Sequence, residues 1–208
     1  MEQKIIDLLN EIPDGVNYTD IAEDLDAEDI SVSRVEQLRE LLTNSDDYIV
    51  FQAAKLLTFW GDDYGFNALT ALFENNKLNG FIDHRLNGYD DTLQHVLRAF
   101  IRYWADKSDH GLGTLTREKL FPYIVKIIEL ANTQPFGIDS LFRLVINKDF
   151  KEYIPVLKEH LISIIDHPEI HGWKIHDVIE LFLKIEPDFV YKLLDEKGKT
   201  LKDFNFEE

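Results

Sequence analysis

"SDDYIVFQAAKLLTFWGDD", residues 45 to 63, decides the fold because its pattern returns in "YDDTLQHVLRAFIRYWAD", residues 89 to 106. Asp46 and Asp47 match Asp90 and Asp91, Phe59 matches Tyr103, and Trp60 matches Trp104, all at an offset of 44 residues without a gap. A fixed offset of this size marks a copied supersecondary unit rather than a shared short motif.

The apolar residues inside the stretch recur at i, i+3, i+4, i+7 and i+8, the period of one buried helix face. Ile49, Gln52, Ala53, Leu56 and Leu57 form the first such stripe, with Gln52 its one polar member. Leu93, Val96, Leu97, Phe100 and Ile101 repeat it; Ile138, Leu141, Phe142, Val145 and Ile146 form a third, and Ile175, Val178, Ile179, Phe182 and Leu183 a fourth. After each stripe comes a break and a second amphipathic run, such as Phe66, Leu69, Leu72 and Phe73, or Leu120, Ile124, Ile127 and Ile128. The third and fourth are followed by Ile154, Leu157 and Leu161, and by Phe189, Val190, Leu193 and Leu194. The unit is therefore a helical hairpin, and the chain is expected to be all-α. Residues 45–195 divide into about four hairpins, 1–43 into an N-terminal cap of two short helices and a third over "VEQLRELL", and 196–208 into a tail docked by Phe204 and Phe206 or frayed. The whole is expected to be a single domain, a short α-solenoid. Ser45 and Thr116 are the expected helix caps, and Gly61 with Asp62 and Asp63 ends one helix and opens the next.

Two second-helix runs, "LFPYIVKIIEL" and "YIPVLKEHLIS", carry the proline and spaced leucines of HEAT repeats, and Asp46 to Leu57 resembles the first half of that repeat. The stripe spacings of 44, 45 and 37 residues fit the resemblance, since such repeats run about 40–47 residues. Phe51 stands where the family places an arginine after Val50, so the polar ladder between repeats is missing and the stacking is expected to be irregular. A small, strongly acidic, irregular HEAT-like chain is also similar to bacterial immunity proteins, which neutralise a toxin domain by binding it.

Charge limits the partners. The chain has 39 acidic and 22 basic residues, a net charge of −17, and residues 1 to 29 hold ten acids against Lys4 alone. Such a field repels nucleic-acid phosphates and attracts a basic protein; the bland alternative is that acidity only confers solubility. With no cysteine, disulfides, thiolate metal sites and cysteine nucleophiles are excluded. The N-terminal "MEQKIIDLLNE" mixes charge with apolar residues and lacks the form of a sorting signal, and the longest apolar runs, such as "LFPYIV", are far too short to span a bilayer. A cytoplasmic location is expected.

No catalytic motif emerges. The densest histidine cluster, "DHPEIH" at residues 166 to 171, sits around Pro168 on an expected turn and reads as solvated loop before metal site. "DHRLNGYDD" offers Asp83, His84, Asp90 and Asp91 as a conceivable carboxylate site, but its aspartate pair also reads as helix-start acid. "EDLDAED" lacks the spacing of a calcium loop. Trp60 and Trp104 each lie eleven residues past a stripe's first member, a turn of about 1100° that returns them to the buried face. Trp173, beside Gly172, is free of that constraint.

The function expected is therefore non-catalytic: an immunity or inhibitor protein whose acidic surface occludes the cationic active site of a toxin, plausibly a nuclease, with no metal and no cofactor. Asp46, Asp47, Asp62, Asp63, Asp83, Asp90 and Asp91 are the expected contact acids, with Tyr64, Tyr89 and Trp173 as aromatic anchors. Two alternatives stand beside it. One is a scaffold that takes a peptide or helix on the concave second-helix face, where Lys119, Lys126 and Glu129 mix charge. The other is an enzyme resembling HEAT-like lyases or glycosylases, the latter at odds with the charge and a metal-dependent form requiring "DHPEIH" to hold the ion.

Overall fold

The structure, a computed structural model, describes residues 2–206. Among the described residues there are ten α-helices and no strand, an all-helical arrangement compatible with a helical repeat. No helix is long and apolar enough to cross a membrane.

Helix α3 (Asp47–Phe59) is the packing centre. Ten of its thirteen residues are buried, so it cannot face solvent along any full side. On one flank Ala53, Leu56 and Leu57 pack with Leu9 of α1 (Gln3–Asn10) and Leu38 of α2 (Val32–Leu41). On the other, Val50, Phe51 and Ala54 join a core that continues to Phe204 near the C-terminus. Each side chain buried as completely as Leu57, at 0% exposure, contributes about 2 kcal/mol of transfer free energy.

Helix α4 (Asp63–Glu74) folds back on α3 through Gly61, whose φ of 75° suits glycine. The two approach closely because of Gly65: a Cβ there would stand 2.3 Å from Leu57 Cβ and 2.9 Å from the Thr58 backbone nitrogen. Helices α5 (Thr92–Asp109) and α6 (Gly113–Ala131) form the second hairpin, and α5 lies against α3. The third unit is shorter. A 3-10 turn at Asp139–Leu141 runs into α7 (Phe142–Asn147), followed by α8 (Ile154–Ile164) beside α6. Helices α9 (Pro168–Ile185) and α10 (Pro187–Lys197) close the array, α9 packing on α7 and α8.

Four expectations need correction. Ile146 is 41% exposed rather than buried, because α7 stops at Asn147 and Asp149 turns the chain at a φ of 60° before another helical turn can cover it. The cap of α3 is Asp46, not Ser45; its carboxylate accepts from Tyr48 N at 2.9 Å. Thr116 lies inside α6, which already begins at Gly113, so it caps nothing. Only one of the two short N-terminal helices forms as such, residues 11 to 31 containing two 3-10 turns at Ala22–Asp24 and Ala27–Asp29.

That N-terminal segment is fastened by side chains reaching backbone carbonyls. Arg34 donates from Nε to Leu8 O at 3.0 Å and from Nη1 to Glu11 O at 2.7 Å, satisfying acceptors at the end of α1. The Trp60 indole donates to Ala22 O at 2.9 Å. At the other terminus Phe204 is buried and Phe206 stacks on His176 with ring centres 4.1 Å apart, so the tail docks through both rings. Glu207 and Glu208 lie outside the described residues.

Candidate functional site

The ten residues singled out from the sequence fall into three places. Asp46, Asp47, Asp83, Tyr89, Asp90 and Asp91 gather where α3 and α5 begin. Asp62, Asp63 and Tyr64 stand where α3 ends and α4 begins, a helix length of about 20 Å away. Trp173, on the second turn of α9, joins neither group. It is 41% exposed and lies against Gly137, where a Cβ would meet its ring at 3.0 Å.

At the first place the loop of residues 76 to 91 folds over the start of α3, with Phe81 stacked on Phe51 at 5.0 Å and edge-on to Tyr48. Asp90 organises it: one carboxylate oxygen accepts from Thr92 N, the first residue of α5, at 3.0 Å, and the other from Gly80 N at 2.8 Å. Asp83 pairs with Asp90 in an isolated antiparallel bridge, and Tyr89 stacks on His84 at 4.5 Å. Asp83 is exposed, Asp47 pairs with Lys77 at 3.0 Å, and Asp91 is buried at 7% exposure. Burial pushes the Asp91 carboxyl up to about 6, with Asp90 and Asp139 adding like charge while His84 and Arg98 oppose the rise.

At the second place Asp62 caps α4, accepting from Tyr64 N at 2.9 Å and Gly65 N at 3.0 Å, and also from Arg39 Nε at 3.0 Å. The Arg39 guanidinium lies 4.7 Å from the centre of the exposed Tyr64 ring. Asp63 accepts from the Tyr103 hydroxyl at 2.5 Å and pairs with Lys107 at 3.0 Å. The Tyr103 bond, then Lys107, hold its carboxyl below the usual range. Most of these aspartates thus already serve caps, ion pairs or both.

Unengaged acid lies elsewhere. Asp14, Asp20, Asp24, Asp26 and Glu28 are exposed and make no ion pair among the described residues, whereas Glu23 turns inward to Lys55 at 2.5 Å. Both residues of that pair line a cavity of about 550 Å³ between α1, residues 20 to 23 and α3. The sequence signal for it was a lone cation, Lys55, inside an otherwise apolar run.

Within "DHPEIH" only the His167 and Glu169 side chains come together, at 3.4 Å, among the described residues. Asp166 pairs with Lys197, His167 precedes α9, and His171 is buried, its imidazole pushed down to about 4 by desolvation and nearby Lys174. Among the described residues no group of three His, Asp or Glu side chains stands close enough to share a metal ion. Fold and surface together define an all-helical protein with an acidic N-terminal face. No protein-family model matches the chain, and no curated protein or solved structure matches it either.

Proposed function

We propose that the chain is a short HEAT-like solenoid, capped by residues 1–43, that acts without catalysis as an immunity-type inhibitor of a basic toxin domain of the nuclease kind. The observation that carries this reading is the N-terminal face: residues 2 to 29 hold ten acids and one lysine, and among the described residues only Glu23 of these acids is in an ion pair. Carboxylates free of internal partners compete for lysines and arginines that would otherwise grip phosphate, and their summed field speeds the encounter. The packing of α5 on α3, of the 3-10 turn at Asp139–Leu141 on α5, and of α9 on that turn and α7 supports the solenoid. Titrating the chain into basic nuclease domains while following nucleic-acid hydrolysis tests it. Stoichiometric inhibition of at least one such domain is expected, and full hydrolysis across the panel counts against it.

A scaffold reading is favoured by one observation. On α6, Leu115 is 66% and Phe121 36% exposed, and Phe121 with Arg117 and Glu152 lines an open groove of about 500 Å³. A helix or peptide docked there would slow amide exchange in α6 and α8, whereas an occluded toxin would protect residues 11 to 31.

A further inference from the structure

Among the described residues four arginines, Arg85, Arg98, Arg102 and Arg143, make no ion pair or hydrogen bond. Of the chain's 22 basic residues, twelve form ion pairs with carboxylates. Others are held differently, Arg34 and Lys174 by backbone carbonyls and Lys119 over the Phe66 ring at 4.1 Å. Arg85 stands exposed in the loop of residues 76 to 91, whereas Arg98, Arg102 and Arg143 all line one groove of about 430 Å³ between α5, α7 and the 3-10 turn at Ala22–Asp24. Arg98 and Arg102 are four residues apart on α5, where like charges repel and weaken the helix. The three are exposed and share the groove with only two carboxylates, while Arg98 also acts on buried Asp91.

The groove has a floor and a direction. Phe59, Ile101 and Leu144 supply apolar surface, and Ser140 Oγ is buried there with no hydrogen-bond partner. Asp24 and Asp139 stand at its sides. It shares Phe59 and Arg102 with a second depression of about 220 Å³, whose other walls include Trp60, Asp26, Asp106 and Asp109. The two depressions together form a trough, cationic towards α7 and anionic towards the end of α5. A single small anion would leave most of it unfilled, and the carboxylates at the far end would repel a polyanion along its whole length.

We infer that this trough receives an extended peptide segment of a protein partner, with glutamate or aspartate side chains and an apolar residue on Arg98, Arg102 and Arg143, and basic side chains beside Asp26, Asp106 and Asp109. Guanidinium groups grip carboxylates bidentately, which gives the segment its register, and the apolar floor holds the residue between them. The opposed charges fix the direction in which the segment lies. The trough shares Asp24 and Asp26 with the acidic face proposed above, but its arginines lie outside that face and Asp14, Asp20 and Glu28 lie outside the trough.

The test uses the full chain and a fluorescent peptide with a glutamate-rich half containing leucine and a lysine-rich half, followed by anisotropy. Saturable binding is expected, weakened about tenfold or more by Arg98→Ala, Arg102→Ala and Arg143→Ala together. Replacing the peptide's glutamates by glutamine should weaken it as much without touching the protein, which keeps the test valid if the triple variant fails to fold. Asp14→Asn, Asp20→Asn and Glu28→Gln together should leave peptide affinity unchanged, separating this site from the acidic face. Equal affinity of the arginine variant and the parent overturns the proposal. So does displacement of the peptide by stoichiometric inorganic phosphate, which would make the site one for a small oxyanion, or concentration-dependent dimerisation abolished by the same arginine substitutions, which would seat a second copy in the trough.

Discussion

Asp62 shows how one carboxylate can serve a helix end and a long-range contact together. Its oxygens accept from two backbone N–H groups of α4 and from Arg39. Asp62→Ala removes all of these and should cost about 1–2 kcal/mol in denaturant unfolding; Asp62→Asn retains a capping acceptor and should cost less than half as much. Asp91 behaves oppositely. Its folded carboxyl titrates at about 6 against an ordinary 3.8, so its contribution to stability is fully present below about 3.8 and is lost as pH rises through about 6. Asp91→Asn should therefore raise stability at neutral pH by on the order of 2 kcal/mol and change it little near pH 4, as thermal melts across that range would show. His95 has the reverse sign: desolvation and the positive charge of Lys55 push it down to about 4 from 6.5, so its contribution is present above about 6.5 and is lost as pH falls through about 4. Roles of this kind were only half legible in the sequence. The aspartate pairs read equally well as helix starts and as contact acids, and the choice depends on partners such as Lys77, thirty residues from Asp47, which periodicity cannot locate.

At the scale of elements, the hairpins were legible because a helix that buries one face must repeat apolar residues with the helical period. All five members of the second and fourth stripes are buried or half-buried. The third hairpin was harder, since its first arm is a 3-10 turn joined to a six-residue helix, and a short helix leaves its last apolar position, Ile146, uncovered. Gly65 was invisible to pattern reading because its role is the absence of a side chain where α4 crosses α3. Gly65→Ala forces a Cβ against Leu57 and the α3 backbone, and such overpacking should destabilise the protein by about 1–3 kcal/mol in chemical denaturation, despite alanine's better helix propensity. An unchanged midpoint would mean the two helices can separate without loss.

Across the whole molecule the dominant quantity is the net charge of −17, legible from composition alone. Its distribution was legible only in part. The density of acid in residues 1 to 29 was plain, but which carboxylates remain unengaged depends on the tertiary arrangement that turns Glu23 inward and leaves Asp14, Asp20 and Glu28 outside. The unpaired arginines of the trough could not be anticipated, because Arg98, Arg102 and Arg143 come together only when α7 packs near α5. Self-repulsion among so many carboxylates should also make the fold more stable in moderate salt, by a few degrees in melting temperature. The central claim is that the N-terminal face recognises a basic protein domain through unengaged carboxylates. It is tested most directly by the affinity for an inhibited basic domain across a salt series, for the parent chain and for Asp14→Asn, Asp20→Asn and Glu28→Gln combined. The account predicts weaker binding and a shallower salt dependence for the variant; superimposable salt curves would contradict it.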